Sequence, residues 1–295
     1  MVKRQAAIAV VVLVVMVLVV IANSVGTVHA AGLALDGAGS NTCTGTTASV
    51  TCSVTLTTSN SNDIIIAIAT ADGESCLPTL GTPTASGLIF TLRKSDSEPL
   101  GEWWALATST LTSETITITI AESGQCGGNL VATLIVWGIA GANTVTPFDP
   151  HLGLPSENSG SGSSGSVVVS TSNGNDMLLG MVGGYCTSDS ILVCPGGGTA
   201  GPGFTVIKPD SGAIAASEYE VVSSTQSGLT VTINFGGSTP WDMFGDAVQA
   251  AASPPPPVPE YPLGLAFLAI IAVIAYGVMR RRIQVIAHII EPNFN

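Results

Sequence analysis

Few residues in this chain have the type and spacing for catalysis. There are three histidines in 295 residues. His29 and His151 lie far apart, and His288 sits near the C-terminus. A Ser–His–Asp triad needs an imidazole held rigidly beside its nucleophile. His151 lies in "FDPHLGLPSENSGSGSSG", a turn leading into a Gly/Ser stretch, and reads as a loop residue. One internal histidine cannot build a His-rich zinc site. Asn60, Asn62 and Asp63 offer oxygens that could hold calcium, but without the alternating acidic run of a calcium loop. Paired carboxylates for glycoside hydrolysis are compatible with the composition, although no aligned pair stands out. No motif calls for a cofactor. The six cysteines, Cys43, Cys52, Cys76, Cys126, Cys186 and Cys194, are even in number and fit a disulfide framework. Cys43–Cys52 and Cys186–Cys194 would close short loops, leaving Cys76 with Cys126.

Charge narrows the partners. Between Ala31 and Ala250 the basic residues are Arg93, Lys94 and Lys208, against eighteen Asp and Glu, a formal charge of −15. Binding a phosphate backbone needs clustered Lys and Arg, so nucleic acid is excluded as a partner.

The residues between the termini are organised as strands. "SVTCSVTLTT", "DIIIAIAT", "LIFTLR", "EWWALATST", "ETITITI" and "NLVATLIVWGI" are rich in Val, Ile, Thr and Trp, and are separated by Gly, Asn, Ser and Pro. "ETITITI" alternates strictly, the pattern of a strand with one buried and one wet face. The expected class is all-β: a β-sandwich, jelly-roll-like, built from two similar halves. The halves come from an internal repeat. "SVTLTTSNSNDIIIAIA" from Ser53 matches "SVVVSTSNGNDMLLGMV" from Ser166 at seven of seventeen positions, and "WALATSTLTSETITITI" from Trp104 aligns with "YEVVSSTQSGLTVTINF" from Tyr219. The shared "SNxND" reads as a tight hairpin, since Asn and Asp tolerate positive φ. Two arrangements fit, a small sandwich per half or one larger sandwich; the small core of a half favours the single one.

The repeat also assigns faces, because residues i and i+2 of a strand share a side. Trp104 and Leu106 align with Tyr219 and Val221 and are expected inside. Trp103 aligns with Glu218. That face is expected to tolerate charge, placing Trp103 at or near the surface, where it could contact a sugar ring or a partner.

The termini suggest a location. Lys3 and Arg4 precede an apolar run and a small-residue site, so residues 1–30 read as a signal peptide. The expected ectodomain spans 31–250, with similar halves at about 46–145 and 160–250. A Pro-rich stalk follows over 251–262, then an apolar transmembrane helix over 263–279 and a cytoplasmic tail over 280–295. Arg280, Arg281 and Arg282 orient the segment with the tail inside. This predicts a single-pass protein of the cell membrane with its ectodomain outside.

The tripartite tail, Pro259-Glu260-Tyr261, the apolar segment and the arginine cluster, resembles the PEF-type C-terminal sorting signals of archaeal cell-surface proteins. Tyr261 stands where that family has Phe, and thirteen residues follow the arginines. The resemblance implies an exosortase- or archaeosortase-like enzyme as a partner, cutting near the motif and transferring the protein to an anchor. A permanent single-pass anchor is the alternative. The function expected is structural: an envelope or adhesion role without catalysis, with a glycan or a neighbouring surface protein as partner. A displayed carbohydrate-binding module comes second and a carboxylate-dependent surface hydrolase third.

Overall fold

The structure, a computed structural model, describes residues 32–45, 49–73, 78–96, 99–122, 130–184, 198–208, 214–252 and 271–282. The signal segment, Cys76, Cys126, Cys186, Cys194 and Pro259-Glu260-Tyr261 lie outside the described residues. Two units are distinguished, Ala30–Ala252 and one to which helix 271–282 belongs. Among the described residues no helix is long and apolar enough to cross a membrane. Helix 271–282 covers only part of the 263–279 segment, residues 263–270 being outside the described set. It exposes Ile271, Val273, Ile274, Tyr276, Val278 and Met279 and ends on Arg280, Arg281 and Arg282.

The larger unit is all-β and antiparallel. Its first half contains β1 (Ala34–Gly45), β2 (Ser49–Leu56), β3 (Asp63–Gly73), β4 (Pro78–Leu80), β5 (Thr91–Ser95), β6 (Leu100–Ala107), β7 (Glu114–Glu122) and β8 (Leu130–Ala140). One sheet runs β1-β8-β3-β6-β5 and a second runs β2-β7-β4. The second half contains β9 (Ser156–Val169), β10 (Asp176–Gly184), β11 (Thr199–Ala200), β12 (Thr205–Val206), β13 (Ala215–Val222) and β14 (Leu229–Gln249). Here β9 and β14 are long enough to serve two layers. Residues 156–162 of β9 pair with 239–245 of β14, the register shifts after Asn234, and Gly165–Val169 pair with Leu229–Ile233.

The two halves repeat one pairing scheme. Val54 opposes Ile116 in the first, and Val167 opposes Val231 in the second. Ala67 opposes Trp103 as Gly180 opposes Glu218. The sequence repeat is therefore a structural repeat, strand for strand.

Apolar packing falls into three clusters, which replaces the single core expected. On one face of the first inner sheet, Ile65, Ala67, Ala69 and Trp103 pack against Val54, Ile116, Ile118 and Ile120 of the β2-β7-β4 sheet. On its other face, Ile64, Ile66, Ile68 and Trp137 pack against Met177, Leu179, Met181 and Phe244 of the second half. The third cluster joins Leu178, Val182 and Ala216 to Val167, Val169, Val231 and Ile233. The physical reason is visible in β3 and β10. Both are buried along nearly their whole length, as strands covered on two faces must be. β7, in an outer sheet, alternates as its sequence requires, with Ile116, Ile118 and Ile120 inside.

Candidate functional site

Two groups of polar side chains are built into this scaffold. The first lies where the halves meet. Arg93 projects from edge strand β5, and its Nε and Nη2 donate to Asp246 Oδ2 and Oδ1 at 2.8 and 3.1 Å. This fork-to-carboxylate geometry is the strong form of the pair. The guanidinium lies 4.1 Å from the Phe148 ring centroid, and Phe148 meets Trp104 edge-on at 5.8 Å. Glu102 on β6 has no solvent exposure and no hydrogen-bond partner for either oxygen. Burial, with Asp246 adding to it, holds its carboxyl well above the usual range against the pull of Arg93. Burial also raises Asp246, opposed by its bonds to Arg93. Beside them Lys94 pairs with Glu157 at 2.7 Å. Asp96 is pushed up to about 7 by burial, with Asp242 and Glu157 adding to the shift and its bond from the Leu100 N–H opposing it.

A carboxylate pair that hydrolyses glycosides must flank a sugar ring. Glu102 and Asp246 have no exposed surface at all, so they present no face to a substrate. What the group can do is fix the two halves in register through one buried ion pair.

The second group occurs twice, at the connections β2–β3 and β9–β10. Asp36 on β1 accepts the Ser59 N–H on both oxygens (2.9 and 3.0 Å), the Asn60 N–H at 2.8 Å and the Asn60 side-chain amide at 2.9 Å. Burial raises its pKa, but these bonds outweigh it and hold the carboxyl below its usual value. Asp149 does the same in the second half, accepting the N–H groups of Ser172 (2.9 and 3.1 Å), Asn173 (2.8 Å) and His151 (2.8 Å). Behind each lies a second, fully buried aspartate, Asp63 or Asp176. Burial first, then the neighbouring aspartate, pushes both up to about 7.

Asn62 and Asn175 have φ of 62° and 61°, the left-handed conformation expected of the "SNxND" turn. The turn is not a hairpin, however. β2 pairs with β7, whereas β3 pairs with β6 and β8, so the connection arches from one sheet to another. Asp36 and Asp149 were not singled out by the sequence reading. The signal was their spacing, since Asp36 precedes Asp63 by the same interval as Asp149 precedes Asp176.

The other anticipated residues are placed as follows. Cys43 and Cys52 form a disulfide, joining β1 of the inner sheet to β2 of the outer one. Trp103 is not at the surface: it is 3 % exposed, within the first cluster. A Cβ on Gly101 would lie 2.3 Å from its ring, so glycine at 101 makes room for the indole. The alignment with Glu218 misled because Glu218 is itself buried, with Oε2 accepting the Gly201 N–H at 2.8 Å. An acidic residue on that face reports a buried carboxyl, hydrogen-bonded through Oε2 alone, and not water. Of Asn60, Asn62 and Asp63, the Asn60 side-chain NH2 donates to Asp36, Asn62 takes the positive φ of the turn, and Asp63 is fully buried. Among the described residues no group of three His, Cys, Asp or Glu could hold a metal ion. The His151 ring accepts the Gly153 N–H at 3.1 Å, a contact within its own loop.

No protein-family model matches the sequence, and neither the curated proteins nor the solved structures contain a match.

Proposed function

We propose that this chain is a membrane-anchored cell-surface protein whose duplicated β-sandwich ectodomain has a structural, envelope or adhesion role without catalysis. The observation that carries the reading is the Cys43–Cys52 disulfide between two sheets, because such bonds persist in oxidising compartments outside the cytosol. The sequence adds the signal-like N-terminus, the proline run, the apolar 263–279 segment and the three arginines. These favour a single-pass anchor with the sandwich outside, and a sorting enzyme is the partner that Pro259-Glu260-Tyr261 suggests. Interlocked sheets with a buried ion pair between halves suit a mechanical element. Burial of Trp103 removes the surface that a glycan-binding reading relied on.

The test is the intact mass of the native protein from a membrane extract, with and without reduction. A mass matching Ala31–Asn295, rising on reduction by two hydrogens per disulfide, supports a permanent anchor. A mass ending near Pro259–Pro262 with a lipid-sized addition supports a sorted protein. An uncleaved chain in the soluble fraction, unchanged by reduction, would sink the proposal.

A further inference from the structure

We propose that the Asp36–Asp63 and Asp149–Asp176 pairs are proton-held clasps, so that the folded protein is fastened in an acidic medium and loosened as the medium turns alkaline. Every group that Asp36 accepts from in the turn is an N–H, and these bonds cover both oxygens. That is the environment of an ionised carboxylate. Asp63 is in the opposite situation. It has no exposure, and no N–H donor reaches either of its oxygens. The Thr58 hydroxyl opposes the rise in its pKa, while also meeting the Asn60 carbonyl at 3.4 Å and accepting the Leu111 N–H at 2.9 Å. Its remaining neighbour is Asp36. Two carboxyl groups in contact can share a hydrogen bond only if one keeps its proton, and the buried group without N–H donors is the one that must.

The second arch repeats this. Asp149 collects N–H groups, and Asp176 is buried with no donor on either oxygen. The Thr171 hydroxyl meets the Asn173 carbonyl at 2.9 Å and the Gln226 N–H at 3.0 Å. Asp36, Thr58, Asn60 and Asp63 recur at one common interval as Asp149, Thr171, Asn173 and Asp176, although the Asn173 side-chain amide donates to Gln249 where that of Asn60 donates to Asp36.

Other charges are few around either pair. Beside Asp63, β6 offers Ala107, and β8 offers Gly138 and Ile139 near the same level. Beside Asp176, β13 offers Val222 and β14 offers Gln249. Asp246, bound to Arg93, feels Asp149, and His151 adjoins Asp149 through its backbone. Among the described residues, no lysine or arginine forms an ion pair with either aspartate of either clasp.

The sign follows from the directions of the shifts. Asp63 and Asp176 keep their protons to about 7 in the fold but lose them near 3.9 in an unfolded chain. Their contribution is complete below the unfolded value and is lost as pH rises through about 7. Asp36, held low, acts the other way and weakens the fold only below its usual range. Each arch ties an outer sheet to an inner one, so ionisation strains both sandwiches at the same point.

The test uses the full chain in detergent, comparing Tm at about pH 5 and about pH 8.5 for wild type, Asp63→Asn and Asp176→Asn. An asparagine keeps the shape of the protonated acid and donates to its partner. The expected result is a wild-type Tm lower by roughly 10 °C at the higher pH, and variants that exceed wild type there by about 5 °C. Carbon-13 NMR of the aspartate carboxyls gives a second reading: midpoints near neutrality are expected for Asp63, Asp176 and Asp96 in wild type, one of them missing from Asp63→Asn and another from Asp176→Asn. Near-neutral midpoints that all persist in both variants would overturn the proposal, as would variants that lose Tm equally at both pH values. Calcium that restores the wild-type Tm at about pH 8.5, but not that of the variants, would also overturn it, in favour of a cation site.

Discussion

Replacing Arg93 with methionine removes the one charged link between the two halves that is fully buried on one side. Asp246 has no exposure, whereas the Arg93 side chain is 22 % exposed. The loss has three parts. Two charge-assisted N–H bonds to Asp246 disappear, leaving only the Ala247 N–H at 2.9 Å on that carboxylate. The cation over Phe148 goes as well, a contact of about 0.5–2 kcal/mol. Methionine retains much of the stem packing against Phe148. Breaking a buried pair typically costs about 3–5 kcal/mol, and the partial exposure of Arg93 puts this one toward the lower end. About 4 kcal/mol in all corresponds to a fall in Tm of roughly 10 °C for a chain of this size.

The loss should depend on pH in a defined direction. Arg93 opposes the rise in the Asp246 pKa that burial causes. Without it Asp246 takes up a proton more readily, and a neutral carboxyl needs no counter-ion. The deficit of Arg93→Met relative to wild type should therefore shrink as pH falls from about 7.5 to about 5. Urea denaturation at both pH values measures this, and the Arg93→Met/Asp246→Asn double variant should recover part of the loss. A deficit below about 1 kcal/mol at about pH 7.5, unchanged by pH, would refute the docking of β5 against β14.

Three further outcomes are expected. Cys43→Ser or Cys52→Ser opens a loop of sequence separation 9 and should cost roughly 2.5 kcal/mol by loop-closure entropy, read as a lower urea midpoint that reduction of wild type reproduces. Trp103→Ala should cost about 3–5 kcal/mol as a core truncation; a variant of unchanged stability would show the indole to be at the surface. Asn62→Gly, at a φ of 62°, should be nearly neutral, whereas Asn62→Val should cost about 1–2 kcal/mol, with Asn175 giving the same pair of results by thermal denaturation.

The strands were legible because their side chains carry a period. Ile116, Ile118 and Ile120 alternate with threonines, and the structure buries those three. The repeat was legible because the same turn, with Asn62 and Asn175 at positive φ, must be encoded by the same few residue types. What lies in neither period nor turn is which sheet a strand joins. β3 and β10 are apolar on both faces, and a sequence with two apolar faces does not say which neighbour covers which. Hence one core was expected where there are three. The same ambiguity hid Trp103. Face assignment by analogy assumes that a charged residue marks water, and Glu218 breaks the assumption by being buried beside the Gly201 N–H. The clasp aspartates were hidden for a related reason. Asp36 and Asp149 lie outside the two matched stretches, and in the sequence they share only their interval to Asp63 and Asp176. They are found by asking what neutralises the exposed N–H groups of an arch, a question that arises once β2 and β3 are known to belong to different sheets. Read that way, the low content of basic residues is consistent with the interior. A chain with three cations between Ala31 and Ala250, one of them held by Asp246, cannot pair every buried acid with lysine or arginine, and for the rest a proton can serve as the counter-charge.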